Sequence, residues 1–264
     1  MTTVKNSSDL LIKQLAESIS GLHDDRATLL ESIIEDEGIE LFYDDYGNSF
    51  DGMTFFDDAF YMHLNESRGN KSGTARGRFT LAHELGHYFI ENHRVGLVNG
   101  LLKPHGSMSK PERFDRIERE ADYFAACLLM PENDFKKEVQ GKKFDFSVLE
   151  QLRISFNVSL TAAALRYKDI GNNEIMIVYA VDGKIKWKFE SERFPYKFLA
   201  EKYPAIPENT LMDQCFKGKS TAGITTDVWA VEWFNNVSQQ SLQKKFKEHC
   251  IMHENKALSV IWQA

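Results

Sequence analysis

His83, Glu84 and His87 form a His-Glu-x-x-His pattern inside Arg78-Phe79-Thr80-Leu81-Ala82-His83-Glu84-Leu85-Gly86-His87-Tyr88, a proline-free, helix-compatible run. Residues four apart on an α-helix lie one above the other on one face. His83 and His87 can therefore offer two imidazole nitrogens to a single metal ion. Glu84, one step round the helix, stands beside that ion, where a carboxylate can take a proton from an activated water. Phe79, Leu81, Ala82, Leu85, Tyr88, Phe89 and Ile90 make the helix apolar on several sides. Two buried histidines and a buried glutamate are costly without partners, which argues against a chance match on a surface helix. Gly86 is a poor helix former, but it permits close approach of a second element.

A catalytic zinc takes three protein ligands and leaves the fourth position for water. The third ligand is expected from a later segment packed on the first helix. In residues 113–131, Phe114, Ile117, Ala121, Phe124, Ala125 and Leu128 recur at helical spacing and mark a buried stripe. Glu118 lies on that stripe, and Asp122 follows it by four on the same face. Glu120 falls about 160° away around the helix axis and is expected to be solvated, so Glu118 is the expected ligand. Metal-ligating histidines usually donate their other ring N–H to a carboxylate or carbonyl, a role open to Asp122 with either His83 or His87. Alone, the segment reads as an amphipathic helix with an acidic edge; beside His83 and His87, the ligand reading is favoured.

Arg-Phe-Thr-Leu-Ala-His-Glu-Leu-Gly-His (78–87), followed by Glu-x-x-Ala-Asp-x-Phe-Ala-Ala-x-Leu-Leu-Met-Pro (118–131), resembles the ImmA/IrrE family of metallopeptidases. Phe156-Asn157-Val158-Ser159, with Ala162, Arg166 and Tyr167, is similar to that family's following helices, and the resemblance spans roughly residues 25–170. Asp122 stands where the family commonly has Asn, which keeps a hydrogen-bond acceptor. The resemblance implies a zincin-like domain and a zinc-dependent endopeptidase, with Mn2+ as the other metal option. His83, His87 and Glu118 would hold the ion and Glu84 would serve as the base. It also implies a bacterial or phage-borne protein that cleaves a helix-turn-helix repressor, as in stress responses, and so releases gene expression. The oxyanion donor stays open among Tyr88, His93 and a loop residue.

An amphipathic helix is expected over residues 7–20, capped by Ser7 or Ser8, with Leu11, Leu15 and Ile19 inside and Gly21 at its end. A second should run from Asp24 or Asp25 to Gly38 with Leu29, Leu30, Ile33 and Ile34 inside. Strands at 39–43, 53–56 and 59–64 then suggest a small antiparallel sheet. Residues 66–77 are a polar, glycine-rich entry to the active-site helix. Residues 96–112, with Gly96, Gly100, Pro104, Gly106 and Pro111, read as a loop at the cleft rim, either a connector or a substrate gate. After Pro131 come a short helix and helices at 147–154 and 159–170. They can mimic a helix-turn-helix, but Ala162, Ala163, Ala164 and Leu165 look like packing rather than base reading.

Gly171-Asn172-Asn173 is the expected boundary between a metallopeptidase domain (1–170) and a smaller α/β or mostly β C-terminal domain (171–264), for substrate recognition or regulation. The latter opens with a strong hairpin signal around Asp182-Gly183. Strands are expected near 227–234 and 257–262, with helix an option at 241–247. The whole reads as α+β.

Hydrophobic residues at 42% and charged residues at 27% fit a globular chain with a real core. The net charge of −7 argues against direct nucleic-acid binding but leaves contact with a basic repressor open. Cys127, Cys215 and Cys250 form no CxxC pair and no secreted-type framework. No apolar stretch approaches membrane-spanning length, so a reduced, cytoplasmic setting without membrane contact is expected. His249 and His253 repeat the four-residue spacing, but Cys250 replaces the glutamate and Lys244, Lys245 and Lys247 disfavour a cation. They are expected to be ordinary residues near a strand end. His93 and His105 could reach the cleft. Two rival functions use the same residues: a metal-binding regulator that releases a partner without cutting it, and a toxin–antitoxin or phage-linked interaction protein dominated by its C-terminal domain.

Overall fold

The computed structural model describes residues 7–22, 26–102, 106–107 and 116–264. The expectations for Asp24, Asp25, Pro104, His105, Pro111 and Phe114 lie outside the described residues. The chain forms two compact units, Met1–Glu138 with Leu152–Ser159, and Val139–Gln151 with Leu160–Ala264. The α+β class holds, with a helical N-terminal region and a β-rich C-terminal part.

The first unit starts with α1 (Ser7–Ser20) and α2 (Leu30–Asp36), then β1 (Glu40–Asp44), β2 (Gly52–Phe56) and β3 (Phe60–Asn65). α2 is shorter than expected: Leu29, expected inside, is its exposed N-cap. The cause is tertiary. Buried Thr28 donates to the Leu128 carbonyl, and its own carbonyl accepts from Arg78. The chain before Leu30 therefore spends polar groups on distant partners rather than on a helical turn. The sheet is mixed, not antiparallel. Its order is β1-β3-β2, with β1 parallel and β2 antiparallel to β3. Side chains alternate alike in both kinds of strand, so periodicity does not distinguish them. Alternation buries Thr54, Met62 and Leu64 on the inner face.

The chain continues through α3 (Ala75–Phe89), α4 (Glu91–Val98), α5 (Arg116–Leu129), α6 (Glu132–Val139), α7 (Phe146–Ser155) and α8 (Leu160–Ile170). α4 takes up residues 96–98 of the expected loop. Thr74 caps α3, its hydroxyl oxygen accepting from the Gly77 N–H at 3.0 Å. Gly77 is required there, because a Cβ would sit 2.1 Å from the Lys71 carbonyl oxygen. Buried Arg78 pins the same turn by donating to the Thr28 and Asn157 carbonyls. Asp51, just before β2, binds Arg68 and Arg76 at 2.8 Å each and so ties the sheet to the start of α3. α5 packs against both α3 and α1. At the α3–α5 contact a Cβ on Gly86 would lie 3.1 Å from Ala121 Cα, so the close approach that glycine permits is used here.

In the second unit α8 precedes β4 (Ile175–Val181), β5 (Lys184–Glu190), α9 (Leu211–Phe216), β6 (Ile224–Trp229), α10 (Ala230–Trp233), β7 (Lys245–His253) and β8 (Lys256–Gln263). The sheet is antiparallel in the order β5-β4-β8-β7-β6. Asp182 and Gly183 both have positive φ, 52° and 69°, as a two-residue hairpin turn requires. Two expectations fail. The strand over 227–234 gives way to α10 after Trp229, because Ala230 and Trp233, three residues apart, are both buried on one side. Residues 241–247 run into strand β7 instead of a helix. β7 carries buried Glu248, which accepts from the Leu211 and Met212 N–H groups, the Trp233 indole and the Ser259 hydroxyl. His249 bonds to Thr225 and stacks on Phe146. On a strand, His253 is about 13 Å further along, so the two histidines cannot share an ion. Among the described residues no helix is long and apolar enough to cross a membrane.

Candidate metal centre

His83, Glu84 and His87 sit on the buried side of α3, at 5%, 1% and 4% exposure. The crossing of α5 at Ala121 brings Glu118 and Asp122 to them. His83 Nε2 and His87 Nε2 are 3.1 Å apart. Glu118 Oε1 lies 3.3 Å from His87 Nε2, and its Oε2 lies 3.5 Å from His83 Nε2. His83 Nδ1–H donates to Asp122 Oδ1 at 2.9 Å. That bond occupies Nδ1, so Nε2 is the nitrogen that faces His87 and Glu118 and that could ligate an ion on losing its proton.

The donors fit a divalent ion. Two imidazole nitrogens and a carboxylate oxygen are zinc's usual ligands, though imidazole suits other first-row ions too. With one donor atom taken from each residue, the three lie within 4.8 Å of one another, and the two Nε2 atoms at 3.1 Å are close to the ~3.3 Å expected between neighbouring ligands of a tetrahedral ion. Burial acts to lower the His83 pKa. Hydrogen bonds to Asp122 and Glu118 and the charge of Glu84 outweigh it and push the value up to about 10. The same negative surroundings would favour a bound cation.

Three contributors to the site carry no motif. Thr54 Oγ1 donates to Glu84 Oε2 at 2.7 Å, and Ser107 Oγ donates to Glu84 Oε1 at 2.6 Å. Ser107 is itself held against β2, its N–H donating to the Gly52 carbonyl and its carbonyl accepting from Asp51, each at 2.8 Å. β2 presses so near that a Cβ on Gly52 would come within 2.5 Å of Glu84 Oε1. The one signal in the sequence was a glycine opening a strand, which marks a close backbone approach.

Glu120 corrects the solvated reading. Its side chain is only 14% exposed and accepts from Arg116 Nε at 2.8 Å, Ser8 Oγ at 3.1 Å and His93 Nε2 at 3.2 Å. Ser8 of α1 and His93 of α4 supply those partners together with Arg116 of α5. Burial works to raise its pKa, and the bonds from Arg116, His93 and Ser8 prevail and lower it. His93 is buried with its ring centroid 5.2 Å from that of His87; burial first, then electrostatic opposition from the neighbouring ring, hold its pKa down. Tyr88 donates its hydroxyl to Glu37 at 2.8 Å, so that group is occupied away from the histidine pair.

A helix carrying the His-Glu-x-x-His pattern, with a glutamate brought to it by a second helix, defines a metallopeptidase-like arrangement. The family model of the IrrE N-terminal-like domain, peptidase M78, matches residues 34–168, and the chain belongs to that family. The resemblance to ImmA/IrrE is thus borne out. No curated protein sequence matches the chain. Among solved structures, a Mycobacterium tuberculosis transcriptional regulator is similar in fold, with a TM-score of 0.62 and 13% identity, covering 98% of this chain and 77% of that one.

Proposed function

We propose that the chain is a zincin-like, zinc-dependent endopeptidase whose substrate is a helix-turn-helix transcriptional repressor. The observation that carries this reading is the convergence of His83, His87 and Glu118 beside Glu84 in a member of a peptidase family; their candidate ligand atoms all lie within 4.8 Å of one another. The fold shared with a transcriptional regulator supports a regulatory setting.

His83, His87 and Glu118 hold the ion, Zn2+ or Mn2+, and Asp122 keeps His83 in the tautomer that can ligate. When bound, such an ion would supply Lewis acidity, lowering the pKa of a water toward ~7 and polarising a carbonyl. The Glu84 carboxylate takes the proton of the attacking water and passes it to the leaving amine. Thr54, on a strand anchored by its neighbours, fixes Glu84 Oε2 and so the direction of that transfer. Burial of the histidine pair and Glu84 lowers the local dielectric and strengthens each of these interactions. Residues 171–264 serve recognition or regulation in this reading.

Incubating metal-loaded protein with the repressor encoded beside it tests the proposal. Wild-type protein cuts the repressor, and Glu84→Gln protein leaves it whole. Release of the repressor from its operator by Glu84→Gln protein, without cutting, would instead make the chain a metal-binding regulator.

A further inference from the structure

The outer face of the three-stranded sheet is an aromatic platform that the metal centre does not use. Strand register sets Phe42, His63 and Met53 in one row, and Glu40, Tyr61 and Phe55 in the next. Phe42 stacks on His63 at 5.0 Å, His63 on Phe55 at 5.4 Å, and Phe55 on Tyr61 at 5.2 Å, with interplanar angles of 22° or less. Phe42 is 42% exposed. The solvent side of a sheet ordinarily alternates to polar residues; this one presents four rings.

The charge around the rings is one-signed. Between Arg26 and Arg68 there is no lysine or arginine, and there are eleven acidic residues, of which buried Asp51 is paired with Arg68 and Arg76. Glu40 and Asp44 on β1, and Asp57 and Asp58 in the β2–β3 turn, are exposed beside the rings. Burial, opposed by the charge of Asp44, holds the His63 pKa below its usual value, so at neutral pH the platform has no cation of its own. Aromatic faces and carboxylates together attract cations, and a guanidinium can stack on the rings and bond to the acids at once.

We infer that this face docks a basic, arginine-rich protein surface, the nucleic-acid-binding side of the substrate repressor. The identity of the partner rests on the proposed function; the chemistry of the surface does not. A nucleic-acid-binding domain must be basic to meet phosphates, and this face offers the complementary charge. Docking by that side excludes DNA from it, so free repressor is captured in preference to operator-bound repressor.

Fluorescence anisotropy of a labelled, arginine-rich peptide, titrated with full-length Glu84→Gln protein, tests the inference. That variant leaves the probe uncut, so docking is read apart from cleavage. Saturable binding is expected, weakening as salt rises. It should fall about tenfold or more in the Glu40→Lys, Asp44→Lys double variant and in Phe42→Ser. The Glu201→Lys, Glu254→Lys variant makes the same charge change at exposed positions of the second unit and should bind as before. Thermal melting checks the fold of each variant, and Asp57→Lys with Asp58→Lys replaces any that melts early. Absence of saturable binding, or equal loss in both charge-reversed proteins, overturns the inference. So does a wild-type dimer abolished by Phe42→Ser, which would make the face a self-association surface. Failure here leaves repressor cleavage standing, and failure of cleavage leaves this binding measurement standing.

Discussion

Gly86→Ala places a methyl group where α3 and α5 cross, 3.1 Å from Ala121 Cα and 3.3 Å from both its Cβ and its carbonyl oxygen. Carbon–carbon contacts are optimal at about 3.5–4.0 Å, so α5 must retreat by roughly 0.5 Å. Alanine gains about 1 kcal/mol over glycine in helix propensity. An extra methyl in a packed interface costs about 1–3 kcal/mol. The expected net effect is a loss of about 1 kcal/mol in metal-free protein. Ala121 lies between Glu118 and Asp122 in α5, so the same retreat draws Glu118 away from the histidine nitrogens and weakens metal binding. Urea unfolding with and without excess zinc measures both effects, since ligand stabilisation depends on zinc concentration relative to its Kd. Each tenfold loss of affinity removes about 1.4 kcal/mol of the zinc-dependent gain. If Gly86→Ala matches wild type in stability and in its zinc-dependent gain, the crossing does not set the site.

Five further substitutions separate roles within the fold. Glu118→Ala should lower zinc affinity strongly and Asp122→Ala by about 10–100-fold, whereas Glu120→Ala should keep the metal and cost about 1–3 kcal/mol by stranding buried His93; zinc titration with parallel melting decides, and metal loss in Glu120→Ala alone would show the α5 assignment to be wrong. Glu84→Gln should retain zinc while repressor cleavage drops by ~10²-fold or more; a wild-type rate would remove Glu84 as the base. Glu248→Ala leaves four donors in the second unit without an acceptor and should cost about 3 kcal/mol or more; a denaturant midpoint close to wild type would contradict that account of its burial.

The helices that bear the site could be read from the chain because their apolar residues recur at helical spacing around polar residues that need partners. Glu118 and Asp122 followed from that geometry, and the structure places both beside the histidines. Glu120 did not follow, because angle around one helix says nothing of what covers its far side, and here Ser8 and His93 do. Thr54 and Ser107 were invisible for the same reason: each reaches Glu84 across more than twenty residues of sequence. The parallel pairing of β1 with β3 was hidden because alternation is common to both strand directions. The delayed start of α2 depended on Thr28 being claimed by Leu128 and Arg78, a tertiary event with no local signature.

The claim on which the rest depends is that His83, His87 and Glu118 hold one divalent metal ion. Elemental analysis of purified wild-type and His83→Ala proteins, dialysed against the same trace of zinc, tests it directly. Wild type should retain about one metal ion per chain and His83→Ala almost none, as expected when one of three protein ligands is lost. Equal metal content in the two proteins would contradict the account.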